Sequence, residues 1–254
     1  MMLKSVSVET KSARELEIMR RAGAVVARSL EVLAKACVPG IDTAELDRLA
    51  AAELKRRGAK PAFLGYRGYP AVLCVSINEE VVHGIPKRGR VLREGDIIGL
   101  DFGAEVDGYF GDAALTVPVG RVSDEAQRLI ETTREALRKG IEAARTGQRV
   151  GDIASAIQRH AESAGFSVVR EFIGHGIGRS LHEDPPVPNY GEPGTGTRLR
   201  PGMTLAVEPM INAGGAAVRV LEDRWTAVTT DGSLSAHFEH TLVVTDGDPE
   251  ILTL

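Results

Sequence analysis

Apolar residues recur at helical spacing at Leu16, Met19, Val26, Leu30 and Leu33, which predicts a helix over 12–37. Ser12 with Glu15 forms a capping box at its start, and Pro39-Gly40 stops it. A second helix is expected over Thr43–Arg57, closed by Gly58. LGYRGYP then supplies a turn, VLCVSI a strand, and NEEVVHGIP places His83 before a glycine. In VLREGDIIGLDFGAEVDGYFGDAALTVPVG two strands meet at a Gly-containing hairpin, with IIGL before Asp101 and ALTV after Asp112. Helical spacing returns over 124–144 and 151–164, ending at Gly165.

The second half thus repeats the first. Gly40, Leu46, Gly58, Leu92, Arg93, Gly95 and Asp101 recur, at a constant offset of 107, as Gly147, Ile153, Gly165, Leu199, Arg200, Gly202 and Glu208. A further pairing sets GDAALTV against FEHTLVV, so that Asp112 and Leu115 match Glu239 and Leu242 at an offset of 127. On that pairing the second half carries an insertion over about 212–232. The fold class expected is α+β: one domain, 1–254, in which halves 12–118 and 123–250 are related by a pseudo-twofold axis. Each half contributes helix, helix and strands to a central antiparallel sheet.

Composition narrows the function classes. With 43% hydrophobic residues and a mean hydropathy of -0.07 the chain is an ordinary globular one. A net charge of -4 gives no basic footprint, so no direct nucleic-acid role is expected. Cys37 and Cys74 form no disulfide framework and suit a reducing compartment. No apolar run reaches the length of a membrane span, and MMLKSVSVETKSARELEIMRR lacks the apolar core of a signal peptide. The expected location is the cytoplasm, without membrane attachment.

Asp101 and Asp112 sit within or beside apolar strands, where aspartate is uncommon and an unpaired charge is costly. The repeat adds Glu208 and Glu239, and the axis would bring all four carboxylates together. Like charges so close cannot all ionise without cations, and two divalent metals would balance them. His175, between Gly174 and Gly176 in FIGHGIGRSLHEDPPVPNY, offers a nitrogen ligand, and its glycines leave room for a close approach. An oxygen-rich set with one imidazole favours Mn²⁺, Fe²⁺, Co²⁺ or Zn²⁺ in a hydrolytic pair. Tyr66 and Tyr69 are read either as packing or as a pocket wall. HEDPP is not HExxH, and no GxSxG elbow is present.

These motifs, with LDFGAEVDGYFGD, AVEPM and HFEHT in order, resemble the type I methionine aminopeptidases, which share the pita-bread fold with prolidase and aminopeptidase P. The resemblance covers nearly the whole chain. It implies that Asp101, Asp112, His175, Glu208 and Glu239 hold the two metals and that His83 and His182 face the substrate. Tyr66, Tyr69, Cys74 and Trp225 would line the pocket for the methionine side chain. It implies removal of the N-terminal methionine by a water bridging the metals, with Glu208 relaying its proton. Nascent chains and peptides beginning with methionine are the implied partners, a small second residue is preferred, and a monomer is expected. Ribosome contact is left open. Leu181 departs from the phenylalanine of well-known bacterial members and would widen the pocket edge. A catalytically silent pita-bread binding module is the rival, against which the complete ligand set argues.

Overall fold

A computed structural model describes residues 8–254; residues 1–7 of the expected domain 1–254 lie outside the described residues. Helices α1 (Ala13–Ala36) and α2 (Thr43–Arg57) open the first half. Ser12 and Glu15 form the expected capping box, and Gly58 closes α2 in the left-handed region with φ 69°. Short strands β1 (Lys60–Pro61), β2 (Cys74–Ile77) and β3 (Glu80–Val82) lead to the long hairpin β4 (Ile97–Val106) and β5 (Tyr109–Pro118). Asp107 and Gly108 turn it with φ of 48° and 79°, the double positive φ of a tight hairpin turn. The second half has α3 (Asp124–Ala143), α4 (Val150–Ser163), β6 (Ser167–Val168), β7 (Gly174–Gly176) and β8 (Glu183–Val187). Its strands continue with β9 (Thr204–Val207), β10 (Met210–Asn212), β11 (Val218–Val220) and β12 (Ala227–Thr229). The chain closes with β13 (Ser235–His237), β14 (Glu239–Val243) and β15 (Glu250–Ile251).

The main antiparallel sheet runs β1-β4-β5-β14-β9-β7-β8, with β2 beside β4 and β15 beside β14. α1 lies across β4 and β5, over a core containing Leu33, Leu46, Leu100 and Phe102. α3 and α4 cover a second core with Leu129, Ile153, Leu199 and Leu205. Leu46 and Ile153, partners in the repeat, are both fully buried. The Gly40 amide donates to the Leu92 carbonyl, and the Gly147 amide donates to that of Leu199 at the same offset. The internal repeat is therefore a repeat of hydrogen bonds as well as of residues.

The second strand of each hairpin corrects the sequence reading. In the first half Gly103 pairs with Asp112; in the second Met210 pairs with His237. The Gly95 amide donates to Val119, and the Gly202 amide to Val244. All of these fit an offset of 107 for the first strand and 125 for the second. Asp112 is thus matched by His237, and Glu239 by Ala114, so the insertion is two residues shorter than the sequence pairing implied. Ala114 and Glu239 face each other across β5 and β14, on the pseudo-twofold axis itself.

Beside that axis two threonines close the seam between the halves. The Thr241 hydroxyl donates to the Asp112 carbonyl at 2.8 Å and accepts the Asp112 amide at 3.0 Å. Thr116 does the same for His237, with both bonds at 2.9 Å. Thr241→Val would leave two buried backbone groups unpaired, and a loss of about 2 kcal/mol is expected, roughly 4–8 °C in melting temperature. A thermal melt without metal checks this; an unchanged midpoint would show that the seam does not depend on the hydroxyl.

Candidate metal centre

Asp101 reaches the site from β4, Asp112 from β5, His175 from β7, Glu239 from the start of β14, and Glu208 from the two residues between β9 and β10. All five line one cavity of about 140 Å³. Ligand atoms of Asp112, His175 and Glu239 lie within 4.8 Å of one another. His175 Nε2 stands 3.4 Å from Glu208 Oε1. Asn189, fully buried, donates to the Glu208 carbonyl at 3.0 Å and fixes the backbone there.

The glycines around His175 serve the close approach expected of them, but the approaching group is the protein's own backbone. A Cβ on Gly174 would lie 2.3 Å from the Ala206 carbonyl oxygen, and one on Gly176 2.2 Å from that of Asp184. They pack β7 between its neighbours and leave no additional space at the imidazole.

Burial is the dominant electrostatic fact. It raises Asp101 to about 7. Burial first, then the neighbouring carboxylates, pushes Asp112, Glu208 and Glu239 well above the usual carboxylate range. His175 is lowered to about 3, by burial and then by His182, and is a neutral imidazole. Asp101 Oδ1, Asp112 Oδ1 and Glu239 Oε1 are buried without a hydrogen-bond partner. Buried acceptors with no donor, facing a neutral imidazole, are the donor set a divalent cation requires, so the residues fit a metal.

The same cavity has an aromatic wall. Tyr69 meets Trp225 edge to face at 5.1 Å, Tyr66 stacks on His182 at 5.2 Å, and the His182 ring lies 4.1 Å from that of His175. Cys74, buried beside Asp101 across the β2·β4 ladder, and His83 complete the set expected from sequence. His83 has φ 60°, an uncommon backbone for a side chain, and is lowered to about 4, by burial and then by His182. Leu181 is 2% exposed and lines the wall, as do Phe63 and Arg67, which the sequence did not single out. Phe63 lies just ahead of the LGYRGYP turn, where an isolated aromatic gives no pattern. A larger trough, about 780 Å³, lies over Ala113 and Ala114, between Leu30 of α1 and Leu137 of α3. No group of ligand-type side chains converges there among the described residues.

Residues 17–246 match the pattern of metallopeptidase family M24. The chain belongs to this family. Among M24 relatives it is 53% identical to methionine aminopeptidase 1 of Bacillus subtilis, over 96% of this chain and 98% of the relative. It is 43% identical to the methionine aminopeptidase of Escherichia coli, over 98% and 95%. A solved methionine aminopeptidase from Thermotoga maritima superposes with a TM-score of 0.96 at 49% identity, over 97% of this chain and 99% of that one. The prolidase of Pyrococcus horikoshii, 23% identical, has a TM-score of 0.78 over 96% of this chain and 63% of its own, a likeness of fold alone. The M24 chain thus has the pita-bread architecture. Among the described residues no helix is long and apolar enough to cross a membrane.

Proposed function

We propose that this M24 chain removes the N-terminal methionine from peptides and nascent proteins. The observation that carries the reading is the meeting, in one cavity, of four carboxylates and a neutral imidazole with an apolar wall of Tyr66, Tyr69, Cys74 and Trp225. Asp101, Asp112, His175, Glu208 and Glu239 would hold two divalent cations, with Mn²⁺, Fe²⁺, Co²⁺ and Zn²⁺ suited to the donors. Bound there, the cations supply Lewis acidity and make a water nucleophilic at neutral pH.

The residues around them do the rest. Glu208, whose proton affinity is raised by burial and by the neighbouring carboxylates, would, ionised in the cation-balanced site, take the proton of the attacking water and pass it to the leaving amine. His182 and His83, both held neutral by burial, can donate to the scissile carbonyl without repelling cations. A thioether packs well against aromatic edges, so the wall selects methionine. A small second residue is expected to be preferred. The two cysteines are buried and unpaired, in keeping with a reducing cytoplasmic setting.

Hydrolysis of the first peptide bond of Met-Ala-Ser, acetyl-Met-Ala-Ser and Leu-Ala-Ser tests the reading, with wild type and Trp225→Leu side by side. Wild type is expected to cleave the first, spare the acetylated peptide and cut the leucine peptide far more slowly. In Trp225→Leu the Met-to-Leu ratio of kcat/KM should fall, by about tenfold, with the fold retained. An unchanged ratio in a folded variant would remove Trp225 from the pocket. Cleavage of the acetylated peptide would contradict an aminopeptidase.

A further inference from the structure

The pseudo-twofold axis relates Asp112, a proposed ligand, to His237, for which neither spacing nor burial pattern suggested a role. The fold treats the two alike: each sits in the second strand of its hairpin, and each has its amide and carbonyl clamped by a threonine from the other half. His237 is 4% exposed, and its Nε2 is buried with no hydrogen-bond partner. That nitrogen stands 3.9 Å from Oε2 of Glu208, while the other oxygen of the same carboxylate faces His175 at 3.4 Å. The Glu208 carboxylate therefore lies between two imidazoles, one from each side, with its backbone held by Asn189.

We propose that His237 is a positioning residue of the metal centre, donating from Nε2 to Oε2 of Glu208 and leaving Oε1 toward the metal side. This rests on the reading of the site as a metal centre. A ligating carboxylate is oriented by the donor on its outer oxygen, and removing such a partner typically weakens metal affinity by about 10–100-fold. The axis explains why an imidazole suits the position. The first half places a proposed ligand, Asp112, at this position of β5, whereas the second half places His237 there in β13 and draws its proposed ligands Glu208 and Glu239 from the ends of the neighbouring strands.

Calorimetric titration of the chelated protein with Co²⁺, together with the visible spectrum of the Co²⁺ complex, tests this with His237→Leu, His237→Gln and His237→Asn. The Leu variant should lose about 10–100-fold in one binding step and show an altered spectrum. The Gln variant, which keeps a donor of similar reach, should stay within about threefold of wild type, and the shorter Asn should follow Leu. Since His237 Nε2 is buried with no hydrogen-bond partner, His237→Leu should melt no lower than wild type under chelation; should it fail to fold, the Gln and Asn pair carries the comparison. Wild-type affinity in the Leu and Asn variants would overturn the proposal, and so would a Gln variant as weak as Leu, which would make the imidazole nitrogen itself the requirement. Failure of the wild type to bind Co²⁺ would instead remove the metal centre and the proposal with it.

Discussion

Glu239→Gln is expected to lose bound metal and to lower kcat/KM for Met-Ala-Ser by about three orders of magnitude, and Asp112→Asn to do the same. Both carboxylates are buried, each keeps an oxygen with no hydrogen-bond partner, and with His175 they bring ligand atoms within 4.8 Å of one another. A metal supplies several kcal/mol of charge stabilisation, and about 4 kcal/mol corresponds to roughly a thousandfold in rate. The amide variants are near-isosteric and remove a buried like charge, so their metal-free forms should melt no lower than wild type. Metal-to-protein ratios after gel filtration, alongside kinetics, check the prediction. Full occupancy in either variant would take that residue out of the ligand set.

His182→Ala is expected to behave in the opposite way, keeping its metals while turnover falls by about 10²–10⁴-fold. Its ring stacks on Tyr66 and is tilted against His175, but no carboxylate lies within ion-pair distance of it among the described residues. That places it on the pocket side of the centre. Burial lowers its pKa, and Arg67 lowers it further, so the neutral ring is available as a donor. Loss of metal in His182→Ala would make it a ligand and require a new account of the substrate side.

The helices were legible because their apolar spacing and caps are local: Ser12 with Glu15 and the stop at Gly58 depend on residues within one or two turns. The acidic cluster was legible because strand-borne carboxylates flanked by apolar runs need a partner, and the repeat said where the others come from. The error in the second offset has a definite cause. Matching Asp112 to Glu239 slips the strand by two residues, and a two-residue slip leaves every side chain on the same face of the sheet, so the in-out pattern cannot detect it. Only the ladder and the paired threonines set the register, and they bring His237 to the place of Asp112. The glycines at 174 and 176 announced a close approach, yet which backbone comes near them depends on β9, far downstream in the chain, and on the return of the chain into β8. Trp225 packs on Tyr69 and His83 from within the insertion, a meeting no local spacing encodes.

Hydrolysis is proposed to depend on two divalent cations held by Asp101, Asp112, His175, Glu208 and Glu239. The most direct test strips the protein with EDTA, returns Mn²⁺ or Co²⁺ in fractions of an equivalent, and follows methionine release from Met-Ala-Ser together with bound metal. Stripped protein should be inactive and should melt at a lower temperature, because unbalanced buried carboxylates face one another, and activity should return as the two sites fill. Methionine release that persists with no metal bound, or sites that fill without any release, would contradict it.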